Sequence, residues 1–463
     1  MTATRAVSRR VVMQGLGGTV ALATVGLAGC GVSAPDTAVS FRHGVASGEP
    51  TADSVVLWTR VTPLDSTPDT VEVMWEVAAD PDFVQVMAAG STSCGGDTDH
   101  TVHVRAGGLR PASTYYYRFH SGDRMSLVGR TRTLPSAGVE RVRLGVVSCA
   151  NYAAGHFAVY REVAAADVDA VVHLGDFIYE HGEAVYDAPE TGRRHDPPNG
   201  LETLADYRRR YAQYHEDLDT QAILRQHPLL AVWDDHEFAN NAWRGGGDGV
   251  EEATWARRRE AAARAWHEWL PVDAGTDPLR IWRAFAFGDL ADLFLLDTRI
   301  AGRDEPSAGA RFGVDDPARS LLGPEQRAWL HEELRRSAHE RATTWRVIGQ
   351  QVPMVPLAPP FTLPDKWDGY PGERTSRRTG TSWARSEFPT PRSPGQLHGR
   401  STPLLRRSLW RPGRSRLVLT HRSSPREPEC PQHGRRVRHR HRADDGRVQS
   451  RAAGATPPVA GGR

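Results

Sequence analysis

Residues 141–151 read RVRLGVVSCAN, residues 168–180 read VDAVVHLGDFIYE, and residues 229–241 read LLAVWDDHEFANN. Each stretch opens on a short apolar run and ends in thiol, amide, carboxylate or phenol groups. Runs such as Val168–Leu174 are continuous enough to be strands buried on both faces, as in a parallel sheet. Helical patterns alternate with them at Gly155–Ala165, Glu202–Arg225, Glu251–Leu270 and Pro324–Arg336, and further strands are expected at Leu290–Leu296 and Trp345–Gly349. This alternation predicts an α/β layer architecture over 137–374. Functional groups in such sheets collect beyond the carboxyl ends of the strands, so these three strand ends are where chemistry is expected.

Toward the N-terminus the grammar is all β. Alternating runs such as Val71–Val77 are separated by turn clusters of Asp, Pro and Gly. Gly108–Arg118 (GLRPASTYYYR) resembles a strand-edge signature of fibronectin type III domains, and 41–136 is expected as a β-sandwich, read as a spacer or lid. Residues 31–40 read as a linker. Before it, Ser8–Gln14 with Arg9-Arg10 resembles a twin-arginine export signal, followed by a weakly apolar run from Gly15 to Ala28. Leu27-Ala28-Gly29-Cys30 resembles a lipobox, with Cys30 the expected lipid-bearing residue. With four cysteines in all, lipid on Cys30 leaves no even set for a disulfide framework.

The three strand ends, in this order, resemble the calcineurin-like metallophosphoesterase scheme. Tyr179 in the second block resembles the variant seen in purple acid phosphatases, and Cys149 with Trp233-Asp234-Asp235-His236-Glu237 is similar to the PhoD-like alkaline phosphatase/phosphodiesterase family. Leu295–Arg299 and Trp367–Pro371 fit the same family. The expected fold is therefore an α/β metallophosphoesterase sandwich behind the N-terminal β-sandwich. The resemblance implies metal ligation by Cys149, Asp176, Tyr179 and Asp235, with His236 as an outer-sphere catalytic imidazole. Asp176 is suited to bridging two cations, and the thiolate and phenolate suit a metal of high charge. The family implies Fe3+ there and Ca2+ as the second ion. The implied reaction is in-line attack of a metal-activated hydroxide on a phosphate ester. Asn240, Asn241 and, as a phosphate ligand, Arg299 are weaker candidates. Expected partners are a phosphate-ester substrate, the twin-arginine machinery and the membrane through Cys30, with no specific nucleic-acid partner and a monomeric chain. The expected location is extracytoplasmic.

The resemblance breaks after Arg374. The Gly-Asp-x-His block expected to supply later ligands occurs nowhere in the chain. Residues 375–463 contain 20 Arg, no Lys and 5 acidic residues, a net +15 against −13 for residues 1–374. Few apolar residues and no sustained period lead us to expect a disordered tail. One reading is a basic tail for anionic polymer or lipid head groups. The other, which the position of the break inside a catalytic domain favours, is a shifted reading frame near codon 375. Two functions follow: an active exported phosphoesterase, or a catalytically impaired lipoprotein with residual metal or phosphate binding.

Overall fold

The computed structural model describes residues 38–64, 70–183, 185–273, 275–306, 316, 318–355 and 365–374, with the backbone of 416–420. The expected export signal with Arg9, Arg10 and Cys30, and all the tail except 416–420, lie outside the described residues. Among those described, no helix is long and apolar enough to cross a membrane.

The N-terminal region supplies β1 (Val39–Ser40), β2 (Val45–Gly48), β3 (Val55–Arg60), β4 (Thr62–Pro63), β5 (Val71–Ala78), β6 (Val86–Cys94), β7 (Thr101–Ala106), β8 (Thr114–Ser121), β9 (Arg124–Met125) and β10 (Gly129–Arg132). β1 occupies the end of the expected linker and pairs with β4. Period-two alternation decides the inner faces: Val71, Val73 and Val77 of β5 and Tyr115, Tyr117 and Phe119 of β8 pack against Val55 and Leu57 of β3 in one core. Two antiparallel layers result, β10-β8-β5-β6 and β2-β3-β7.

The second layer does not stop at the domain border. β11 (Arg141–Val147), β12 (Ala170–His173) and β13 (Leu229–Ala231) form a parallel run, and β13 pairs with β2 at Leu229 and Gly48. The sandwich and the α/β region therefore share one seven-stranded sheet, order β17-β11-β12-β13-β2-β3-β7. Its outer member, β17 (Arg416–Thr420), runs antiparallel to β11. The expectation of an unstructured tail fails at this point. Leu417-Val418-Leu419 is a local β-prone run that an average over the Arg- and Pro-rich segment conceals.

The helices are α1 (Ala158–Ala165), α2 (Leu204–Glu216), α3 (Leu218–Gln226), α4 (Glu252–Trp269), α5 (Gly323–His339) and α6 (Pro371–Arg374). The single helix expected over 202–225 is two. Asp217 ends α2 in an extended conformation, and its carboxylate accepts the Asp219 and Thr220 amides as the N-cap of α3. β14 (Arg283–Phe287), absent from the sequence reading, pairs with β15 (Ala291–Leu295), which pairs in parallel with β16 (Trp345–Gly349). Leu293 and Leu295 join the main core, whereas Phe294 turns to a second core with Leu330 and Leu334 of α5.

α4 ties the two regions together. Trp58 donates Nε1–H to the Glu268 carbonyl at 2.8 Å. Beside it, Trp269 packs against His43 and His215, both buried.

Candidate metal centre

Parallel register aligns the three strand ends. The pairing of β11 with β12 continues past the strands, with Cys149 N donating to Gly175 O at 3.2 Å and Ala150 N to Asp176 O at 2.8 Å. Gly175 has φ +94°, and a Cβ there would meet Asp234 N at 2.2 Å. Only glycine lets the second and third blocks approach so closely. Cys149 (φ 60°) and Asp176 (φ 54°) hold left-handed conformations that non-glycine residues rarely adopt. Strain of this kind gathers at functional sites.

Glu237, fully buried, fastens these turns. Its carboxylate accepts the amides of Phe177 at 2.7 Å, Asp234 at 2.8 Å and Asp176 at 3.0 Å. Burial, with Asp176 nearby, pushes its carboxyl well above the ordinary range, while the three amides act in the opposite sense.

The expected residues converge on Asp176. One carboxylate oxygen accepts from Tyr179 Oη at 3.2 Å and the other from His236 N at 3.3 Å, and the Asp176 charge acts on the Cys149 thiol. Asp176, Asp235 and His236 bring one donor atom each within 4.8 Å of one another. Tyr179 stacks on the His236 ring at 4.2 Å between centroids.

The donor set fits a cation. Burial, with Asp235 nearby, raises the Asp176 carboxyl. Partial desolvation of the Cys149 thiol, on a residue otherwise exposed, and the nearby Asp176 push it up to about 12, while burial with Asp176 nearby pushes the Tyr179 phenol well above its usual value. A cation at these donors would reverse that trend and favour their anionic forms.

His236 differs. Burial disfavours its charged form, but the hydrogen bond to Glu180 and the charges of Asp235, Glu180 and Asp176 outweigh it and push its pKa up to about 10. Its Nδ1 is 2.8 Å from Glu180 Oε2, and its Nε2 is 4.0 Å from Asp235 Oδ2.

Arg299 is buried among carboxylates. It reaches Asp234 at 2.5 Å, Asp365 at 2.7 Å and Asp235 at 3.1 Å. Its guanidinium is committed to them, in contrast to the phosphate ligand suggested by the sequence. Asp235 opposes burial through Arg299 and His236, which hold its carboxyl below the ordinary range. Burial, with Asp235 and Asp176 adding to it, pushes Asp234 up to about 8 against the pull of Arg299. Asn240 and Asn241 both donate side-chain amides to Asp248, and the Asn241 main chain donates to Asp235 at 2.7 Å.

Sequence reasoning assigned no part to Glu180, His181 or Glu237. An acidic residue directly after the Asp176–Tyr179 block, and another directly after His236, was the available signal.

Known proteins resemble this chain in the same regions. A family model described as PhoD-like phosphatase matches residues 144–387, and one described as PhoD-like phosphatase, N-terminal domain, matches residues 26–135. Alkaline phosphatase D of Bacillus subtilis (strain 168) is 38% identical over 358 residues, covering 72% of this chain. The chain spans 60% of the length of that curated relative. A solved structure described as "Structure of PhoD" aligns with a TM-score of 0.68 at 36% identity, over 73% of this chain and 68% of the other.

Proposed function

Because this chain belongs to the PhoD-like phosphatase family, we propose that it is an exported metal-dependent phosphoesterase that hydrolyses phosphate esters at the site around Asp176. The observation that carries this reading is the convergence of three separate strand ends on one carboxylate, with Asp235 and His236 inside ligand distance.

Asp176 and Asp235 supply hard oxygen donors, and Cys149 and Tyr179 supply a thiolate and a phenolate once deprotonated. The thiolate and phenolate suit a metal of high charge, and the family resemblance implies ferric iron there and calcium as the second ion. When bound, the cations neutralise charge building on the phosphoryl oxygens and lower the pKa of water. Glu180 fixes the His236 ring by accepting from Nδ1, which leaves Nε2 to exchange a proton with the leaving alkoxide. Glu237 and Arg299 position the turns and take no part in bond breaking. Arg9-Arg10 and Leu27–Cys30 support export by the twin-arginine machinery and lipid attachment at Cys30.

One observation favours a second reading, a catalytically impaired lipoprotein: the sequence contains no Gly-Asp-x-His block. Hydrolysis of p-nitrophenyl phosphate and bis-p-nitrophenyl phosphate by the full chain separates the two. Turnover of either ester supports the phosphoesterase. Turnover that appears only after an in-frame C-terminus is restored supports the impaired reading for this chain.

A further inference from the structure

We infer that Glu180, His181 and His236 form a second cation site, selective for a borderline transition-metal dication such as Zn2+, whose occupancy inhibits the centre around Asp176. The three side chains bring one donor atom each within 4.8 Å of one another. His181 Nε2 is a buried atom without a hydrogen-bond partner. It stops 3.8 Å from Glu180 Oε1, beyond hydrogen-bonding reach. An orphaned buried ring nitrogen calls for a specific explanation, and an ion is one.

The surroundings hold the donors in position. The His181 ring lies 5.2 Å from that of His236 and 5.3 Å from that of Tyr186. Glu180 is buried, with Oε2 2.8 Å from His236 Nδ1 and Oε1 accepting from Asn240 N at 2.6 Å. Zinc bonds of about 2.0–2.2 Å in a tetrahedron set neighbouring donors roughly 3.3 Å apart. The two imidazoles approach opposite oxygens of the Glu180 carboxylate, at 2.8 Å and 3.8 Å, on the scale of that spacing. Two imidazoles and one carboxylate suit zinc, whereas calcium and magnesium need a shell of oxygens.

Binding exchanges a proton for the cation. The Nδ1–H bond of His236 breaks, its proton passes to solvent, and the nitrogen lone pair forms the bond to the metal. The Glu180–His236 hydrogen bond is lost, and with it the contact that orients the ring toward the centre around Asp176. The inhibitory effect rests on the role of His236 proposed above; the binding does not.

The test titrates the full chain, loaded with its resident metals, with Co2+ and with Zn2+. His181→Phe keeps the ring contacts and removes the donor, and His181→Gln guards against a packing artefact. We expect both variants to bind about one Co2+ fewer than the parent and to lose the visible band of nitrogen-ligated Co2+. Without added zinc they should hydrolyse ester like the parent, and their half-inhibitory Zn2+ concentration should be at least about tenfold higher. Equal Co2+ stoichiometry and spectra in the parent and both variants would overturn the site. Loss of the Co2+ band with unchanged zinc inhibition would overturn the inhibitory role. If the chain hydrolyses no ester, the Co2+ spectra still decide the site, separately from the phosphoesterase reading.

Discussion

Glu180 accepts from His236 at 2.8 Å through one oxygen and from the main chain of Asn240 at 2.6 Å through the other. One buried carboxylate from the second strand end thereby orients the imidazole of the third and steadies the turn that follows it. Such a partner fixes the tautomer as well as the ring plane.

Glu180→Gln keeps the shape but loses the charge and one acceptor. We expect kcat to fall roughly 10- to 100-fold with little change in KM. Steady-state kinetics on p-nitrophenyl phosphate checks this, and unchanged kcat would separate Glu180 from the chemistry.

On the proposed iron assignment, Tyr179 and Cys149 are donors to the metal. The metal-loaded protein should show a visible tyrosinate-to-iron absorption band, and Tyr179→Phe should remove it. Chelation that strips the iron should abolish both colour and turnover. A colourless, iron-free and active protein would contradict the iron assignment.

Glu237 is structural. Glu237→Ala leaves three buried amides without acceptors, each costing about 1–3 kcal/mol. Urea denaturation should show a loss of at least about 3 kcal/mol, with Glu237→Gln losing less. A difference near zero would mean that other acceptors replace it.

Burial at the junction of the two regions holds His43 down to about 2, helped by Arg60, and His215 down to about 3. The unfolded chain protonates these rings near their ordinary value of 6.5, while the folded chain does not. Between those limits the unfolded state binds more protons, so stability rises with pH and falls on acidification below 6.5. Urea midpoints should therefore drop from neutral pH toward about pH 4, and the drop should be smaller in His215→Phe. A flat profile across that window would oppose the assignment.

The strand ends were legible because a parallel sheet needs apolar runs, and Cys149, Asp176 and Asp235 follow such runs directly. The clamps were not. Glu180 and Glu237 act through the particular amides and ring nitrogen they reach, which only the register of β11, β12 and β13 determines. Arg299 looked like an anion ligand because nothing in its local sequence reveals Asp234 and Asp365. The break between α2 and α3 was hidden by good helix formers on both sides, although Asp217 preceding Leu218-Asp219 is a recognisable N-cap. β17 was missed because composition was averaged over a long segment.

The central claim is that a metal held at Asp176 drives phosphate-ester hydrolysis. Its most direct measurement is p-nitrophenyl phosphate turnover by the full chain against bound metal per chain, beside Asp176→Ala. Turnover should rise in proportion to bound metal and vanish in Asp176→Ala, which should also lose metal. Turnover that survives chelation and the substitution would contradict the account, as would a fully metal-loaded chain that hydrolyses neither the monoester nor the diester.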